Sequence, residues 1–443
     1  MTKTVYFKTL GCKVNQYETQ LMRELLIKSG FRETERPASA GYVIVNSCTV
    51  TRHSDRKTMY YLRRFKKANP EAKIIVAGCI TEDENNLPLL SRSADIIISN
   101  REKADIVRKI TKGLDKTGMV SDSQTVEGEA EDNFSISSFK GHSRAFIKVQ
   151  DGCNMNCSYC KVRIVRGKSR SRPIEDICKE IEDLVSNGYK EIVLTGIQLG
   201  AYGRDLTGKS EIVLLLEKIS EISGLTRMRL SSIEPFDVSD ELIEYMAGNY
   251  KICPHLHIPL QSGDDSILKS MRRGYTSNQF KELISRIKGK IPCFGLTTDV
   301  IVGFPGEDED AFLNTINVLR ETKPHKIHFF PFSPRPGTDA SLFSGRVSHQ
   351  EIKRRENILK SLNKELFLSS SQFLRETVQP VLLETYAAYN STIIGRLPDY
   401  RKVFIEADSS LINSIVQVLI VGCGDEYLRG RLAHQFDKNV LSA

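Results

Sequence analysis

The sequence contains no long hydrophobic run. No uninterrupted apolar stretch in its 443 residues approaches the ~18 residues that a membrane span needs, and the opening segment MTKTVYFKTL lacks the apolar core of a secretory signal. These absences argue against a membrane or secreted protein and predict a soluble one. The ten cysteines are not arranged as in a small disulfide-rich domain. They indicate a reducing compartment, where thiols bind metals or fill cores, so we expect a cytoplasmic protein.

Three cysteines are grouped in one short segment, CNMNCSYC. Cys153, Cys157 and Cys160 are spaced so that one loop can present all three thiols to a single metal cluster. Three thiolates leave one position of an iron-sulfur cube open for a small molecule. A zinc knuckle is the alternative, but it needs four ligands, and only His142 stands near the loop, well before it. The spacing, with an aromatic residue before the last cysteine, resembles the signature of the radical S-adenosylmethionine enzymes.

Positive charge is concentrated in two segments of a chain whose net charge is +8. Residues 52–67 contain seven Lys or Arg against one acid, Asp55, and residues 161–172 contain six and no acid. Each segment follows a cysteine that we expect to bind a cluster. Both would therefore place positive potential around the reaction site and favour a polyphosphate partner such as RNA. A solvated helix face is the alternative for either segment alone.

The N-terminal part of the chain alternates between apolar runs and amphipathic segments. This alternation predicts a doubly wound parallel sheet, in which ligands bind beyond the carboxyl ends of the strands. The predicted strands are residues 4–10, 42–46, 73–77 and 96–99. The predicted helices are residues 17–28, 54–67 and 102–111.

Three further cysteines, Cys12, Cys48 and Cys79, each follow one of the predicted strands. Because the carboxyl ends of parallel strands meet at one edge of a sheet, we expect the three thiols to form a second cluster site there. Gly11 and Gly78 precede two of them and allow close approach of the backbone. A buried cysteine that acts as a small hydrophobe is the alternative for any one of the three. That role suits the cysteines that join no group: Cys178, Cys253, Cys293 and Cys423.

The motifs in combination resemble those of the radical S-adenosylmethionine methylthiotransferases. The resemblance covers nearly the whole chain and is carried by LGCKVNQYET (10–19), VNSCTVT (45–51), AGC (77–79), RAFIKVQDGCNMNCSYC (144–160), VRGKSRSRP (165–173), SSIEP (231–235), HIPLQSGDDSILKSMRRGYT (257–276), TTDVIVGFPGE (297–307) and SPRPGTDA (333–340). Within the family, LGCKVNQYE and LTGIQLGAYGRDL (194–206) resemble the branch that acts on threonylcarbamoyladenosine in transfer RNA. One residue departs: Arg163 stands where the family usually has proline, and we expect this change to loosen the turn.

The remaining chain predicts two more domains. Six strand-helix units, with strands at 144–149, 191–194, 227–231, 255–259, 297–302 and 326–332, predict a partial barrel whose chemistry lies at the carboxyl ends of its strands. Short alternating stretches after about Glu376 predict a small antiparallel β-barrel that resembles the RNA-binding TRAM module, although its acids outnumber its bases.

We therefore expect an α/β protein of three domains. They are an N-terminal doubly wound methylthiotransferase domain (1–118) with the auxiliary cluster, a central radical S-adenosylmethionine partial (β/α)6 barrel (141–372) and a TRAM-like barrel (373–443). An acidic segment (119–140) links the first two, and its composition predicts that it is exposed.

The resemblance also implies a binding site. S-adenosylmethionine would chelate the open iron of the cluster held by Cys153, Cys157 and Cys160, with a second 4Fe-4S cluster on Cys12, Cys48 and Cys79. The expected cofactor contacts are Tyr159 beside the adenine, Gly196 near the amino group, Glu234 and Gln261 near the ribose, and Thr195 and His257 at neighbouring strand ends. Side chains at strand ends also satisfy local backbone groups, which is the alternative for each of these contacts.

The implied reaction converts threonylcarbamoyladenosine beside the anticodon to its 2-methylthio form. No side-chain base can usefully deprotonate the adenine C–H bond at neutral pH, so the cofactor supplies a radical. We expect the reaction to use two S-adenosylmethionine per turnover, a transfer RNA substrate and an electron donor such as flavodoxin or ferredoxin. We expect the protein to be a monomer.

Other readings use the same motifs. Within the family, the substrate could instead be isopentenyladenosine in transfer RNA or a ribosomal-protein aspartate. Outside it, the alternatives are a radical methyltransferase or lyase that uses the second cluster only for electrons, and a nonenzymatic iron-sulfur protein that binds RNA.

Overall fold

The computed structural model describes residues 3–112, 135–387 and 392–433. These residues form a parallel sheet covered by helices, a partial barrel, and a small closed barrel. Most of the predicted acidic linker, residues 119–140, lies outside the described residues. The exact domain boundaries therefore stay predictions. No helix in the described ranges is both long and apolar enough to cross a bilayer.

Five parallel strands form the N-terminal sheet, in the order β2-β1-β3-β4-β5. They are β1 (Thr4–Thr9), β2 (Arg32–Glu33), β3 (Tyr42–Ser47), β4 (Lys73–Gly78) and β5 (Ile96–Ile98). The sequence pattern missed β2, because two charged residues are too few to show a periodicity. The other four strands lie where they were predicted.

Helices cover both faces of this sheet. They are α1 (Lys13–Lys28), α2 (Arg52–Ala68), α3 (Leu87–Leu90) and α4 (Ile106–Lys112). Met22 and Leu26 of α1 are buried on one face, and Leu62 and Phe65 of α2 on the other, so each face has its own apolar core. The predicted doubly wound architecture is confirmed. Helix α1 begins at Lys13, four residues before the predicted start, so it follows Cys12 directly.

Two three-stranded parallel sheets, β6-β9-β10 and β11-β12-β13, form the central barrel. Single bridges, Met228 to Ile252 and Ser232 to His257, join the two sheets into one curved six-stranded wall. The wall strands are β6 (Arg144–Lys148), β9 (Glu191–Thr195), β10 (Arg227–Leu230), β11 (His255–His257), β12 (Gly295–Val302) and β13 (Lys326–Pro331). Two short strands, β7 (Gln150–Asp151) and β8 (Arg170–Ser171), pair beside it. The predicted partial barrel is confirmed.

Helices surround this wall and bury one large apolar core against it. They are α5 (Val162–Arg166), α6 (Ile174–Ser186), α7 (Arg204–Thr207), α8 (Ile212–Ser220), α9 (Asp240–Gly248), α10 (Asp265–Ser270), α11 (Ser277–Lys290), α12 (Glu309–Thr322) and α13 (His349–Ser371). Helix α1 of the first domain also joins this core through Tyr17, whose hydroxyl lies 2.9 Å from Glu180 Oε1.

The C-terminal strands close into a five-stranded barrel, in the order β14-β15-β16-β18-β17. They are β14 (Val378–Ala387), β15 (Thr392–Arg396), β16 (Lys402–Glu406), β17 (Ile415–Cys423) and β18 (Leu428–Leu432). The closed small barrel is confirmed. One pair, β16 with β18, is parallel, because β18 returns from its hairpin with β17 into the gap beside β16.

Buried charge joins the two barrels. Glu191 is wholly buried and pairs with Arg227 and Arg229, at 2.5 and 2.9 Å. The same arginines donate to backbone carbonyls of the small barrel: Arg227 Nη2 to Arg396 at 3.0 Å and Arg229 Nη1 to Pro398 at 2.8 Å. The small barrel is therefore fixed beneath the amino ends of the wall strands, away from the predicted reaction edge.

Candidate active site

Cys12, Cys48 and Cys79 lie at one edge of the N-terminal sheet. Cys48 and Cys79 directly follow β3 and β4, and Cys12 precedes the first residue of α1 just beyond β1. Since β1, β3 and β4 are adjacent and parallel, their carboxyl ends bring the three thiols together, as predicted. A Cβ at Gly11 would lie 2.9 Å from Cys48 Cβ, so glycine permits this approach.

These thiols are poorly suited to ionise by themselves. Burial, together with the neighbouring Cys79 and Cys12, raises the pKa of Cys48 to about 12. Burial likewise raises the pKa of Cys79, against the opposing charge of Arg166, whose Nε lies 3.1 Å from Cys79 Sγ. A metal group would supply the positive charge that three clustered thiolates need.

The second group, Cys153, Cys157 and Cys160, lies on the loop between β7 and α5. Backbone hydrogen bonds shape the loop: Cys160 N donates to Cys157 O, and Cys153 N to Gly167 O, both at 3.1 Å. Burial raises the pKa of Cys153 to about 11 and that of Cys160 to about 12, and the other thiols of the loop add to both shifts. The structure therefore places all three thiols on one short hydrogen-bonded loop.

A cavity of about 380 Å³ opens beside Cys157 and Cys160. It is lined on one side by the cysteine loop and on the other by residues 337–339, after β13. Arg163 also lines it, exposed on the regular helix α5, where its carbonyl accepts from Gly167 N at 3.0 Å. The arginine therefore places a charge at this cavity within an intact helical turn.

Cofactor chemistry fits both cysteine groups. Among the described residues, no set of three or more His, Cys, Asp or Glu side chains is arranged to hold a single metal ion. An iron-sulfur cube takes each thiolate on a different iron, so its ligands lie farther apart than those of one ion. Two groups of three soft thiol ligands, one at the edge of the N-terminal sheet and one on a single loop, match the donor set of such a cube.

Arg166 connects the two cysteine groups. Its Nη1 lies 2.9 Å from Glu18 Oε1 and 2.9 Å from Asp151 Oδ1, in addition to its contact with Cys79. Asp151 ends β7, two residues before Cys153. The guanidinium is almost completely buried. Arg166 therefore contacts both Cys79 of the N-terminal domain and the strand that precedes the cysteine loop.

A second set of ion pairs joins the N-terminal domain to the central barrel near the cysteines. Lys161, which follows Cys160, places Nζ 2.6 Å from Asp83 Oδ2. Arg335, on the loop after β13, donates to Thr49 Oγ1 at 3.0 Å and pairs with Asp55 at 2.5 Å. Because these contacts flank Cys48, Cys79 and Cys160, the two cysteine groups face each other across the interface between the first two domains.

The predicted cofactor contacts fall into two sets. Tyr159 lies on the cysteine loop, edge-on to Phe304 with ring centroids 6.4 Å apart. Thr195 ends β9 and is buried. A Cβ at Gly196 would lie 2.9 Å from Gln150 Oε1 and 3.3 Å from Leu199 Cα, so glycine allows close packing here. Tyr159 thus belongs to the cysteine loop, and Thr195 and Gly196 lie at the carboxyl end of β9; their contacts with the cofactor stay predictions.

Glu234 is also joined to the loop, through a residue that the sequence analysis missed. Glu234 forms a very short ion pair with Arg273, whose Nη1 lies 3.4 Å from Cys157 Sγ. Burial raises the pKa of Glu234, and Arg273 opposes that rise. The signal was present, since Arg273 stands in the motif segment MRRGYT. Gln198 was missed in the same way: the Cys153 thiol donates to its Oε1 at 3.4 Å.

His257 and Gln261 have different partners. His257 lies in the barrel wall, with Nε2 3.1 Å from Asp299 Oδ2 and Nδ1 2.9 Å from Thr297 Oγ1. Gln261 adopts φ 63°, a strained conformation for a residue other than glycine, and its N donates to Asp299 O at 2.8 Å. Among the described contacts, neither residue is joined directly to the cysteine loop. Both lie on the wall that faces the barrel interior at β12.

Comparison with known proteins agrees with this organisation. Residues 147–319 match the Radical SAM superfamily, residues 4–99 match Uncharacterized protein family UPF0004, and residues 372–433 match the TRAM domain. The class is thus that of the radical S-adenosylmethionine proteins, whose superfamily brings with it S-adenosylmethionine and a 4Fe-4S cluster.

Relatives extend over the whole chain. The threonylcarbamoyladenosine tRNA methylthiotransferase MtaB of Bacillus subtilis is 33% identical, covering 99% of this chain and 98% of the relative. Its namesake in Thermotoga maritima is 35% identical, covering 97% and 99%. The tRNA-2-methylthio-N(6)-dimethylallyladenosine synthase of Carboxydothermus hydrogenoformans is 33% identical, covering 94% and 96%. The chain belongs to the radical S-adenosylmethionine methylthiotransferase family.

A solved structure shares the fold. The radical S-adenosylmethionine methyltransferase TsrM from Kitasatospora setae, with cobalamin and a [4Fe-4S] cluster bound, superposes with a TM-score of 0.55. The match covers 77% of this chain and 74% of that protein at 14% sequence identity. At this identity the likeness concerns the fold alone.

Proposed function

We propose that this protein converts threonylcarbamoyladenosine beside the anticodon of transfer RNA to its 2-methylthio form. The observation that carries the proposal is the placement of two three-cysteine groups on facing edges of two domains, in a chain that matches methylthiotransferases over almost its whole length. Sulfur insertion needs a site that generates a radical and a site that delivers sulfur. One cysteine group can form the site that generates the radical, and the other can form the site that delivers sulfur.

The cysteines have separate roles in this proposal. Cys153, Cys157 and Cys160 hold the cluster that binds S-adenosylmethionine, and Cys12, Cys48 and Cys79 hold an auxiliary 4Fe-4S cluster. When bound, these groups supply one-electron chemistry and sulfur, which no side chain can provide. Two S-adenosylmethionine are used per turnover. A small electron-transfer protein such as flavodoxin or ferredoxin delivers the electron, and the protein acts as a monomer.

The protein's own residues hold this arrangement. Arg273 orients Glu234 at the edge of the cofactor site and donates toward Cys157 Sγ. Tyr159 closes the site on the apolar side against Phe304, which excludes water. Arg166 fixes the auxiliary edge against the cysteine loop. Such pre-organisation is what a radical reaction between two bound groups requires.

Lys13 supports the choice of substrate within the family. It follows Cys12 directly and is only partly exposed, and within the described ranges its ammonium makes no hydrogen bond or ion pair. Burial lowers the pKa of Lys13 itself. At the barrel wall burial raises the pKa of Asp299, but His257, His328 and Lys13 outweigh it, so the pKa of Asp299 is lowered. The threonylcarbamoyl group carries a carboxylate that an unpaired ammonium can bind, whereas the dimethylallyl group is apolar. Threonylcarbamoyladenosine is therefore favoured over the isopentenyl substrate.

Mass spectrometry of modified nucleosides tests the proposal. Transfer RNA from cells that lack the gene should contain threonylcarbamoyladenosine and none of its 2-methylthio form, and the gene should restore the product. Accumulation of unthiolated isopentenyladenosine instead would identify the alternative substrate. No change in either nucleoside would rule out a transfer-RNA methylthiotransferase.

Two cysteine variants separate the roles of the two groups. Cys157→Ala should abolish formation of 5'-deoxyadenosine from S-adenosylmethionine. Cys48→Ala should retain that cleavage while losing thiolation. A radical methyltransferase or lyase would yield a product without sulfur, and a nonenzymatic RNA-binding protein would yield no 5'-deoxyadenosine even with all cysteines present.

A further inference from the structure

Helix α2 presents an exposed basic face to solvent. Thr58, Leu62 and Phe65 are buried against the sheet, while Tyr60 on the outer side is 57% exposed. The outer face runs along the helix at intervals of three and four residues, as expected for one side of an α-helix. Its exposed basic residues are Arg52, Arg56, Lys57, Arg63, Arg64 and Lys67.

Most of these positive charges have no acidic partner among the described residues. Of the seven basic residues in α2, Lys66 alone forms an ion pair within the described part of the chain, at 3.8 Å from Asp95. The single acid of the segment, Asp55, pairs instead with Arg335 of the central domain. The outer face of α2 therefore keeps a high positive potential, which attracts polyanions.

The helix begins at the candidate active site. Its first residue, Arg52, lies four positions after Cys48, and its backbone N donates to Ser333 Oγ at 3.2 Å. Ser333 is on the loop after β13 that continues to residues 337–339, at the cavity beside the cysteine loop. A helix of 17 residues extends for about 25 Å. The basic face thus leads from the mouth of the site across the protein surface.

Among the described residues, the other basic regions have fewer exposed basic side chains without an acidic partner. In the second basic segment, Lys161, Arg166 and Arg172 are buried in ion pairs with Asp83, Glu18 and Glu180. In the small barrel, Arg396 and Arg401 are buried against Glu384 and Asp399. Its exposed bases in the described part, Lys402, Arg429 and Arg431, lie on two neighbouring strands.

We infer that the outer face of α2 is the surface on which the RNA substrate docks, with its Lys and Arg side chains on phosphates and Tyr60 available to stack with an unpaired base. Phosphate contacts of this kind fix the register of an RNA without reading its sequence. An exposed aromatic ring among basic residues suits a single-stranded loop. The inference rests on the proposed function for the identity of the RNA, an anticodon stem-loop that carries threonylcarbamoyladenosine.

A charge-neutralising variant with a matched control tests the inference. In Lys57→Gln/Arg64→Gln/Lys67→Gln, three exposed charges of α2 are removed. The control, Lys281→Gln/Arg286→Gln/Lys290→Gln, removes the same residue types from α11, where each is paired with an acid. Iron and sulfide content and the melting temperature establish that both variants fold and load their clusters.

The measurement is binding of the cluster-loaded proteins to the anticodon stem-loop over a series of salt concentrations, without oxygen. The control should bind as the natural sequence does. The α2 variant should bind roughly tenfold more weakly or worse at low salt, and the slope of log affinity against log salt should be smaller by about 2, because three phosphate contacts are lost. An α2 variant with the affinity and slope of the control would overturn the inference.

Two further outcomes are informative. A basic helix can also bind an anionic membrane, so vesicles with and without phosphatidylserine are tested in parallel. If the α2 variant lost vesicle binding and kept RNA binding, the inference would be overturned in favour of a lipid surface. If RNA bound through α2 but was never thiolated, the docking surface would be supported and the proposed function would fail.

Discussion

The two basic segments have similar compositions and serve different structural purposes. In α2 most of the Lys and Arg side chains point to solvent and have no acidic partner in the described part of the chain. In residues 161–172, Lys161, Arg166 and Arg172 are buried and neutralised by acids from other parts of the chain. The expectation that both segments surround the site with free positive charge is therefore correct for α2 and wrong for the buried half of the second segment.

The difference comes from acids that are distant in the sequence. Glu18 and Asp83 belong to the N-terminal domain, and Glu180 to helix α6 of the barrel. A buried charge that loses its partner is strongly destabilising, whereas an isolated surface charge contributes little to stability. The same residue type should therefore give very different effects in the two segments, and substitutions can measure the contrast.

The largest effect is expected at Arg166. In Arg166→Met the buried carboxylates of Glu18 and Asp151 lose a cation that lies 2.9 Å from each. We expect the free energy of unfolding to fall by about 3–5 kcal/mol, as for other broken buried pairs. Chemical denaturation followed by circular dichroism measures it. A fall of less than about 1 kcal/mol would show that Lys103 and Lys148, which remain beside these acids, replace the missing cation and that Arg166 does not hold the interface.

The second-largest expected effect is a fall in the free energy of unfolding as the pH is lowered. Burial alone would raise the pKa of Glu18, but Arg166, Lys103 and Lys148 outweigh it and lower the pKa to about 2. The folded state then binds this proton more weakly than the unfolded state does. Its stabilisation is complete above the usual value of 4.5 and is lost as pH falls toward 2. We expect the protein to lose on the order of 2 kcal/mol over that window.

Denaturation curves at about pH 6 and about pH 3 check this expectation. Glu18→Gln serves as the control, because an amide does not titrate in this window. The variant should be less stable than the natural sequence at the higher pH and should show a smaller change between the two. Equal changes in both proteins would place the acid sensitivity elsewhere.

Much of the fold follows from local pattern. The strands that end at Cys48 and Cys79 are apolar runs, and their parallel order brings the cysteines to one edge by topology alone. Strand β2 could not be found, because Arg32 and Glu33 pair with β1 without any apolar signal. The parallel pairing of β18 with β16 depends on how the small barrel closes, which no local pattern specifies.

The site divides in the same way. Spacing indicated the group Cys153, Cys157 and Cys160, and position after predicted parallel strands indicated the group Cys12, Cys48 and Cys79. The residues that contact these groups depend on tertiary structure. Arg273 reaches Cys157 from 116 positions away, and Arg166 reaches Cys79 from 87 positions away. A single sequence records that these arginines exist but not which acid or sulfur faces them. The partners of His257 on β12, Asp299 and Thr297, likewise lie about 40 positions away, and its expected cofactor role stays a prediction.

An intermediate effect is expected at Lys161. Its ammonium pairs with Asp83 at 2.6 Å, but Asp83 also accepts from Asn86 Nδ2 at 2.9 Å and lies 3.6 Å from Arg335 Nη2. Lys161→Met therefore leaves a carboxylate that still has partners, and we expect a loss of about 1–2 kcal/mol. Chemical denaturation again measures the change. A loss as large as that of Arg166→Met would mean that Arg335 does not compensate for the missing lysine.

The smallest effect is expected at Arg64, on the outer face of α2. Arg64→Met should change the free energy of unfolding by no more than about 0.5 kcal/mol, because the guanidinium is exposed and has no acidic partner within the described residues. The substitution matches Arg166→Met in chemistry, so denaturation of the two variants side by side isolates the environment as the cause. If Arg64→Met were destabilising by several kcal/mol, the charge on α2 would be structural, and a surface that is free to receive RNA phosphates would have to be sought elsewhere. Near-equal stability together with weakened RNA binding would instead establish that one basic segment holds the domains together while the other meets the substrate.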